Sequence, residues 1–407
     1  MMDCLRWSRC GAGRAVGTFL HRPSFRGGRC FILAMLLAAA PVPKDEPPLP
    51  PLTRTSPRLY DLTVSIAIPW NQTMPPRNGG RLPLRWPMLP RSNWSFMTPE
   101  TLWAELTHGP SKQQDEHAWS MAEESTPPGQ WSLDIPMPAR VQGSPIEVQI
   151  RYRTNTFSCT LDEAAARSIA WPDAWPSAVS PFLDASEFVE SDNPLFAAAV
   201  QDALRQEPRS APLHLVAKSC IRYCLQHVRS TGSYMDTGRT GIRGFTVQGA
   251  VGAAEAGTGS ACDLVCVCVA TLRAAGIPAR PVIGATSADT VGLNSTQPRY
   301  MVWGEYYLPG AGWIPFDPKR LQGTVDRVPL QDVWQGLGTM QFLNRRVPLG
   351  YSFVIGGTKR AYDAIGPWSW VPIVPGRPLP VPLDLEYLPT VQNLNLVFVG
   401  SGQMQPQ

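Results

Sequence analysis

Histidine is scarce in this chain of 407 residues, with five in all: His21, His108, His117, His214 and His227. None follows Cys262, so imidazole chemistry has few positions to draw on. Charge is sparse as well. Charged residues make up 17 % of the chain, and the formal net charge of +4 is carried at one end. Residues 1–40 hold Arg6, Arg9, Arg14, Arg22, Arg26 and Arg29 against the single acid Asp3, a net of +5, which leaves about −1 for the remainder. A near-neutral body offers no electrostatic footprint for nucleic acid, and that class of partner is set aside. Long apolar runs are absent too. The run Cys30 to Ala40 is too short to anchor stably in a bilayer, and no later stretch is long and apolar enough to span one. No repeat or low-complexity tract stands out.

The chain does have an Arg-bearing start, an apolar run and Ala38-Ala39-Ala40, which satisfies a small-x-small cleavage rule. Residues 1–40 therefore read as an export signal, and the mature protein is expected in the periplasm, the cell envelope or outside the cell. Three of the nine cysteines (Cys4, Cys10, Cys30) lie in that leader. Six remain: Cys159, Cys220, Cys224, Cys262, Cys266 and Cys268. An even count in an exported protein permits disulfides, although five of the six fall in helical patterns.

Forty-three prolines favour β-rich segments with rigid connections over long helices. Residues 41–57 read as a Pro-rich linker. From Arg58 the pattern becomes strand-like, with alternation at Leu62 to Ile68 and again at Ile146 to Tyr152. Residues 58–156 are expected to form a β-sandwich-like domain, with an exposed loop near Gln113 to Ser125. Residues 157–190, Trp- and Pro-bearing, connect it to a helical region that opens at Asn193-Pro194, with Pro at the first helical position. Helices are predicted over Leu195 to Arg205 and Leu213 to Val228, and a short one around Ala250 to Ala256. Residues 321–407 read as a C-terminal β extension with strands at Tyr351 to Ile355 and Leu394 to Val399.

The chain is organised around Gly257 to Pro318. Ser260 followed by Asp263 is a capping-box-like helix start. Leu264 to Ala275 is apolar on nearly every face except Arg273, which predicts a helix buried from several sides. Gly276 supplies a left-handed cap and Pro278 forbids continuation. Tyr300 to Leu308 and Trp313 to Asp317 are strand candidates joined by the short loop Pro309 to Gly312.

Four blocks in this stretch carry a family resemblance. They are Gly259-Ser260-Ala261-Cys262-Asp263, Arg273 to Arg280 (RAAGIPAR), Met301-Val302-Trp303-Gly304-Glu305, and Gly312 to Pro318 (GWIPFDP). In type, order and spacing they resemble the transglutaminase-like superfamily core over residues 191–320. The resemblance implies an α+β, papain-like core flanked by the two β regions. It also implies a cysteine nucleophile, a histidine base and an aspartate that orients the base. Counted against Gly259, Asp263 and Arg273, the nucleophile position is Ala261. The base position, two residues before Trp303, is Met301. Asp317 alone is of the expected type.

An alanine supplies no nucleophile, and a thioether neither takes nor gives a proton near neutral pH. The expectation is a catalytically inactive protein that acts by holding a peptide or protein segment. The alternative is an active transglutaminase or amide hydrolase that uses Cys262, with His227 as the partner worth testing. Against it, one residue along a helix turns a side chain by about 100° away from the position that Ala261 holds. Cys220 with Cys224, and Cys262 with Cys266, sit four apart on helix faces. Those stripes are otherwise apolar and the spacing is not that of a usual zinc knuckle, so no metal or cofactor is expected. A disulfide between the two helices stays open. Trp303 and Trp313 are expected in the core, Glu305 with Arg280 as an ion pair across neighbouring strands, and Asp317 as a cap on the turn into Pro318.

Overall fold

The structure, a computed structural model, describes residues 51–402 except 69–82, 109–112, 116–118, 125–126, 137–145, 206–209, 231–234, 238–241, 246, 287–299 and 354–389. The export-signal reading and His21 and His117 lie outside the described residues. All described elements belong to one compact unit, 45–407.

The first long strand, β1 (Leu52–Ile68), buries Leu62, Val64 and Ile66 and leaves Thr63 and Ser65 half-buried, the period-two pattern of a sheet with one covered face. It begins inside the stretch read as linker. Pro57 misled that reading, because it sits with Ser56 in a β-bulge where the pairing jumps from Thr55 to Arg58, and a bulge is where a strand tolerates proline. There follow β2 (Pro83–Met88), β3 (Ser95–His108), β4 (Gln113–Asp115), β5 (Ser120–Glu123), β6 (Trp131–Pro136) and β7 (Ile146–Leu161). The expected exposed loop near Gln113 thus contains two short strands, each paired to a longer neighbour that supplies its hydrogen bonds.

The helical region holds α1 (Glu163–Arg167), α2 (Pro194–Ala203), α3 (Leu213–His227), two short strands β8 (Arg229–Ser230) and β9 (Met235–Thr237), β10 (Ile242–Phe245) and α4 (Gly249–Ala256). After β11 (Thr258–Gly259) come the central helix α5 (Ala261–Ala274), β12 (Ala279–Thr286), β13 (Tyr300–Leu308), β14 (Gly312–Phe316), α6 (Pro318–Leu321), β15 (Arg346–Gly350) and β16 (Thr390–Ser401).

Two sheets organise the molecule. The core sheet runs β14-β13-β12-β15, and the larger one β4-β3-β7-β1-β16-β10-β9. A three-stranded layer, β2-β6-β5, lies against the larger sheet, and Trp86 of β2 and Tyr152 of β7 belong to one buried core. The β extension of residues 321–407 adds one strand to each of these sheets. β15 completes the core sheet beside β12, and β16 pairs along β1 from Arg58↔Ser401 to Ala67↔Thr390. Pairing across more than 300 residues leaves no trace in local alternation. The strand expected at Tyr351 to Ile355 lies earlier, at Arg346–Gly350. Tyr351 and Phe353 are buried but outside it, and 354–355 fall outside the described residues.

Helix α5 is buried from Ala261 through Arg273 and packs against β12 and β13 on one side and α2, α3 and α4 on others. Its end is a Schellman turn: Gly276 has φ 81°, its N–H bonds the Arg273 carbonyl, and the Ile277 N–H bonds that of Leu272.

Candidate functional site

Ser260 caps α5 in extended conformation, its hydroxyl accepting the Asp263 N–H at 3.1 Å, while the Asp263 carboxylate accepts the Ser260 N–H at 2.8 Å. The other Asp263 oxygen accepts the N–H groups of Gln248 (2.8 Å) and Gly249 (3.2 Å), which fastens the start of α4. Burial raises the Asp263 pKa, with these main-chain donors opposing it. Gly259 must lack a side chain here, since a Cβ would stand 2.7 Å from that of Asp263.

Ala261 opens the helix and is 5 % exposed. Cys262 beside it is fully buried. Desolvation, followed by the neighbouring Asp263 charge, pushes its thiol well above the ordinary range, against smaller lowering effects from a Ser260 hydrogen bond and the charge of Lys319. The helix N-terminus, which would acidify an accessible thiol, does not prevail at this depth.

Met301 lies half-buried on β13 opposite Gly284 of β12. Two residues on, Trp303 is fully buried against the bare backbone of Gly284, where a Cβ would come within 2.6 Å of the indole. Trp313 is buried as well, stacked with Arg280, whose guanidinium carbon lies 3.8 Å from its ring centre and 3.6 Å from that of Tyr351. Arg280 and Glu305 are register partners, joined at 2.8 Å, as expected from the sequence.

Asp317 ends β14 and caps α6, one oxygen accepting the Arg320 N–H at 3.1 Å. Its other oxygen accepts from Nη2 of Arg346 at 2.6 Å, both groups being buried. Arg346 comes from β15, outside the four motif blocks, and no sequence pattern pointed to it. Its Nε and Nη1 find no partner among the described residues, and its guanidinium carbon lies 5.7 Å from the Trp303 ring centre. The hollow that reaches Arg346 encloses about 20 Å³, room for a water molecule rather than a peptide. Ala261, Met301 and Asp317 thus sit on mutually packed elements, α5, β13 and the β14–α6 junction.

The three described histidines lie elsewhere. His227, at the exposed end of α3, stacks on Tyr223 with ring centres 3.9 Å apart and Nδ1 2.8 Å from the Tyr223 carbonyl. It borders a cavity of about 270 Å³ between α2, α3 and α5, and Cys262 does not line that cavity. His108 is buried in β3. His214 is buried between Glu163 (Nε2 to Oε2, 2.7 Å) and the Tyr306 hydroxyl (Nδ1, 2.6 Å). Lys218, also fully buried, bonds the same Glu163 oxygen at 3.1 Å and the Asp332 carbonyl at 2.7 Å. Burial, the largest cause, lowers the pKa of His214 and of Lys218, against the pull of Glu163. Sequence reasoning missed this network. The available signal was His214 and Lys218, four apart on one face of a helix.

All six cysteines of the described region are free and buried. Across α3 and α5 it is Cys224 that meets Cys268, and Cys224 also donates to Thr271 Oγ1 at 3.2 Å. Among the described residues no group of three or more His, Cys, Asp or Glu could hold a metal ion. No helix among them is long and apolar enough to cross a membrane.

Residues 216–318 match the family model of the transglutaminase-like superfamily. No curated protein sequence matches the chain. A crystal structure from Cytophaga hutchinsonii, provisionally named a cysteine protease, aligns with TM-score 0.50 and 12 % identity over 87 % of this chain and 94 % of that one. The periplasmic domain of TgpA from Pseudomonas aeruginosa aligns with TM-score 0.27 and 16 % identity, covering 63 % and 87 % of the two chains. Red sea bream transglutaminase aligns with TM-score 0.24 and 16 % identity, covering 57 % and 49 %. At 12 % identity the likeness to the Cytophaga hutchinsonii structure is one of fold, and the α+β core is transglutaminase-like over the residues that the family model matches.

Proposed function

We propose that this chain, whose residues 216–318 form a transglutaminase-like domain, is an exported protein that has lost acyl-transfer chemistry and works by holding a peptide or protein segment. Acyl transfer in this fold needs a thiolate, an imidazole to move its proton and an acid to orient the imidazole. Ala261 and Met301 supply neither of the first two. The observation that carries the reading is what Asp317 does instead. Its carboxylate is bound on one side by Arg346 and on the other by the Arg320 N–H, so both oxygens are already engaged without an imidazole.

An enzyme built on Cys262 would need a thiol that water and substrate can reach. That thiol is fully buried and held protonated, and the cavity beside His227 does not touch it. Export rests on the Arg-rich, apolar, small-x-small pattern of residues 1–40.

The test is direct. The mature chain is assayed for thiol-dependent amide hydrolysis and for amine incorporation into a glutamine peptide, and no turnover is expected. Activity abolished by Cys262→Ser would overturn the reading. Gain of activity on combining Ala261→Cys, Met301→His and Arg346→Ala would support the assignment of positions, because it supplies the two missing groups and frees the acid.

A further inference from the structure

The larger sheet ends in a surface that the transglutaminase-like core does not explain. Leu394, Leu396 and Phe398 of β16 pair with Val64, Leu62 and Tyr60 of β1 and form one core-facing row. The first two are buried, but Phe398 is 45 % exposed, where the row runs out of the core. It projects into an open groove of about 630 Å³ whose walls include Arg58, Phe342, Arg345 and Phe398. Phe342, which also lines the groove, is 38 % exposed. Exposed apolar side chains gathered around one groove mark an interaction site more often than scattered single ones.

The groove is built rather than incidental. The bulge that puts Ser56 at φ 49° turns its carbonyl to the Asn344 side chain, which donates at 2.7 Å. Thr156 Oγ1 bonds the Asn344 carbonyl at 2.7 Å, and Ser158 Oγ bonds that of Gln341 at 2.5 Å. The floor is thus tied to β1 and β7, and a ligand would not have to order it.

Its charge is of one sign. The Arg58 guanidinium carbon lies 5.0 Å from the Phe398 ring centre, and those of Arg345 and Arg320 lie 5.2 Å and 4.9 Å from that of Phe342. None of the three arginines has a salt bridge to an acidic residue among the described residues, whereas buried Arg280 and Arg346 each have one. Guanidinium groups laid over aromatic faces leave their edges for carboxylate recognition.

We infer that this groove binds an acidic segment of a partner protein, its carboxylates on Arg58 and Arg345 and an apolar side chain lodged between Phe342 and Phe398. The inference rests on the binding reading above and moves the site from the vestigial catalytic region to the end of the β-sheet.

The probe is a fluorescein-labelled decapeptide of alternating Glu and Phe, titrated against the full chain by anisotropy. Matched peptides with Gln or Lys in place of Glu serve as controls. The Glu peptide should bind at least tenfold tighter than the Gln peptide and lose affinity as salt is raised. Arg58→Gln with Arg345→Gln should weaken it at least tenfold, and Phe398→Ser comparably. Met301→Ala should leave it unchanged. The two arginine changes are confined to exposed or half-buried groups, so an unchanged thermal midpoint separates lost binding from lost fold. Peptide binding that survives both groove variants but falls with Met301→Ala would overturn the groove and leave the binding reading standing. Turnover of a glutamine peptide would overturn the binding reading itself. Equal binding of all three peptides, or preferential capture of anionic lipid vesicles, of a single-stranded oligonucleotide or of a second copy of the chain through the same arginines, would also overturn the proposal.

Discussion

If the Asp317 carboxylate is committed to Arg346, separating the two should be far more damaging than removing both. The pair is buried, with side-chain exposures of 5 % and 7 %, and the contact is 2.6 Å. Asp317→Ala leaves a buried guanidinium whose Nε and Nη1 already lack partners among the described residues, and it removes the cap on the Arg320 N–H. A broken buried pair costs about 3–5 kcal/mol. A lost cap adds about 1 kcal/mol. Arg346→Met should fall at the low end of that first range, because the Arg320 N–H still holds the carboxylate. The double variant has no stranded charge, and its loss should approach that of the cap plus imperfect packing, roughly 1–2 kcal/mol. On these figures the cycle predicts a coupling of about 5 kcal/mol or more. Urea unfolding followed by tryptophan fluorescence measures it as shifts in midpoint at constant slope. A coupling below about 0.5 kcal/mol would mean that the two changes simply add. Asp317 would then be free to hold an imidazole, and the main support for lost chemistry would be gone.

Three further outcomes follow from the same geometry. Cys262 should resist iodoacetamide in the native protein at neutral pH and become labelled only in denaturant, because its thiol is buried and held above the ordinary range; mass mapping of the alkylated peptide decides this. The folded pKa of His214 is depressed, so its contribution to stability is complete above the unfolded value of about 6.5 and is lost as pH falls below that toward the folded value, by at most about 1.4 kcal/mol per pH unit. Thermal midpoints between pH 7.5 and 5 should fall in the parent. They should be lower but flatter in His214→Gln, with Glu163, Lys218 and Arg167 as the other charges facing the ring. Gly284→Ala should destabilise by about 1–3 kcal/mol or more, read as a drop in urea midpoint, since the new Cβ would meet both the Trp303 ring and the Val347 carbonyl at 2.6 Å.

Much of the core was legible because its signals are local. The Ser260–Asp263 box, the stop at Gly276 and the loop at Pro309 to Gly312 each depend on bonds made within a few residues. The pairing of Arg280 with Glu305 could be suggested but not fixed, because the register between their two strands is not set by any short turn. What stayed hidden was long-range. The closing of the larger sheet by β16 and of the core sheet by β15 depends on partners that local pattern cannot name. Arg346 sits 29 residues beyond Asp317 in a stretch with no motif, so its claim on the acid could not be foreseen. The Glu163–His214–Lys218 cluster was hidden for a related reason, because an apolar stripe suggested burial but not which polar side chains would be buried with it.

The same long-range bonds bear on how much the motif match says about chemistry. Asp263 anchors the start of α4 as well as its own helix. Arg273 bonds the carbonyls of Ala279 and Asp184 and the Ser186 hydroxyl, holding the chain on either side of the core. Arg280 and Glu305 lock two strands, and Asp317 caps α6 while neutralising Arg346. Each motif residue still of the expected type thus has a structural role that needs no substrate. Removing any of them would strand a buried polar group, at about 1–3 kcal/mol for a neutral partner and more for a charged one. Positions 261 and 301 are different. A methyl group at the first residue of a well-capped helix and a thioether on a half-buried strand position leave no unsatisfied bond behind. On the proposed assignment, the fold can hold its family pattern at every position that bears structure while positions 261 and 301 change. Agreement at Asp263 and Arg273 measures the scaffold, and the proposed loss of activity rests on residues 261 and 301 together with the hold of Arg346 on Asp317.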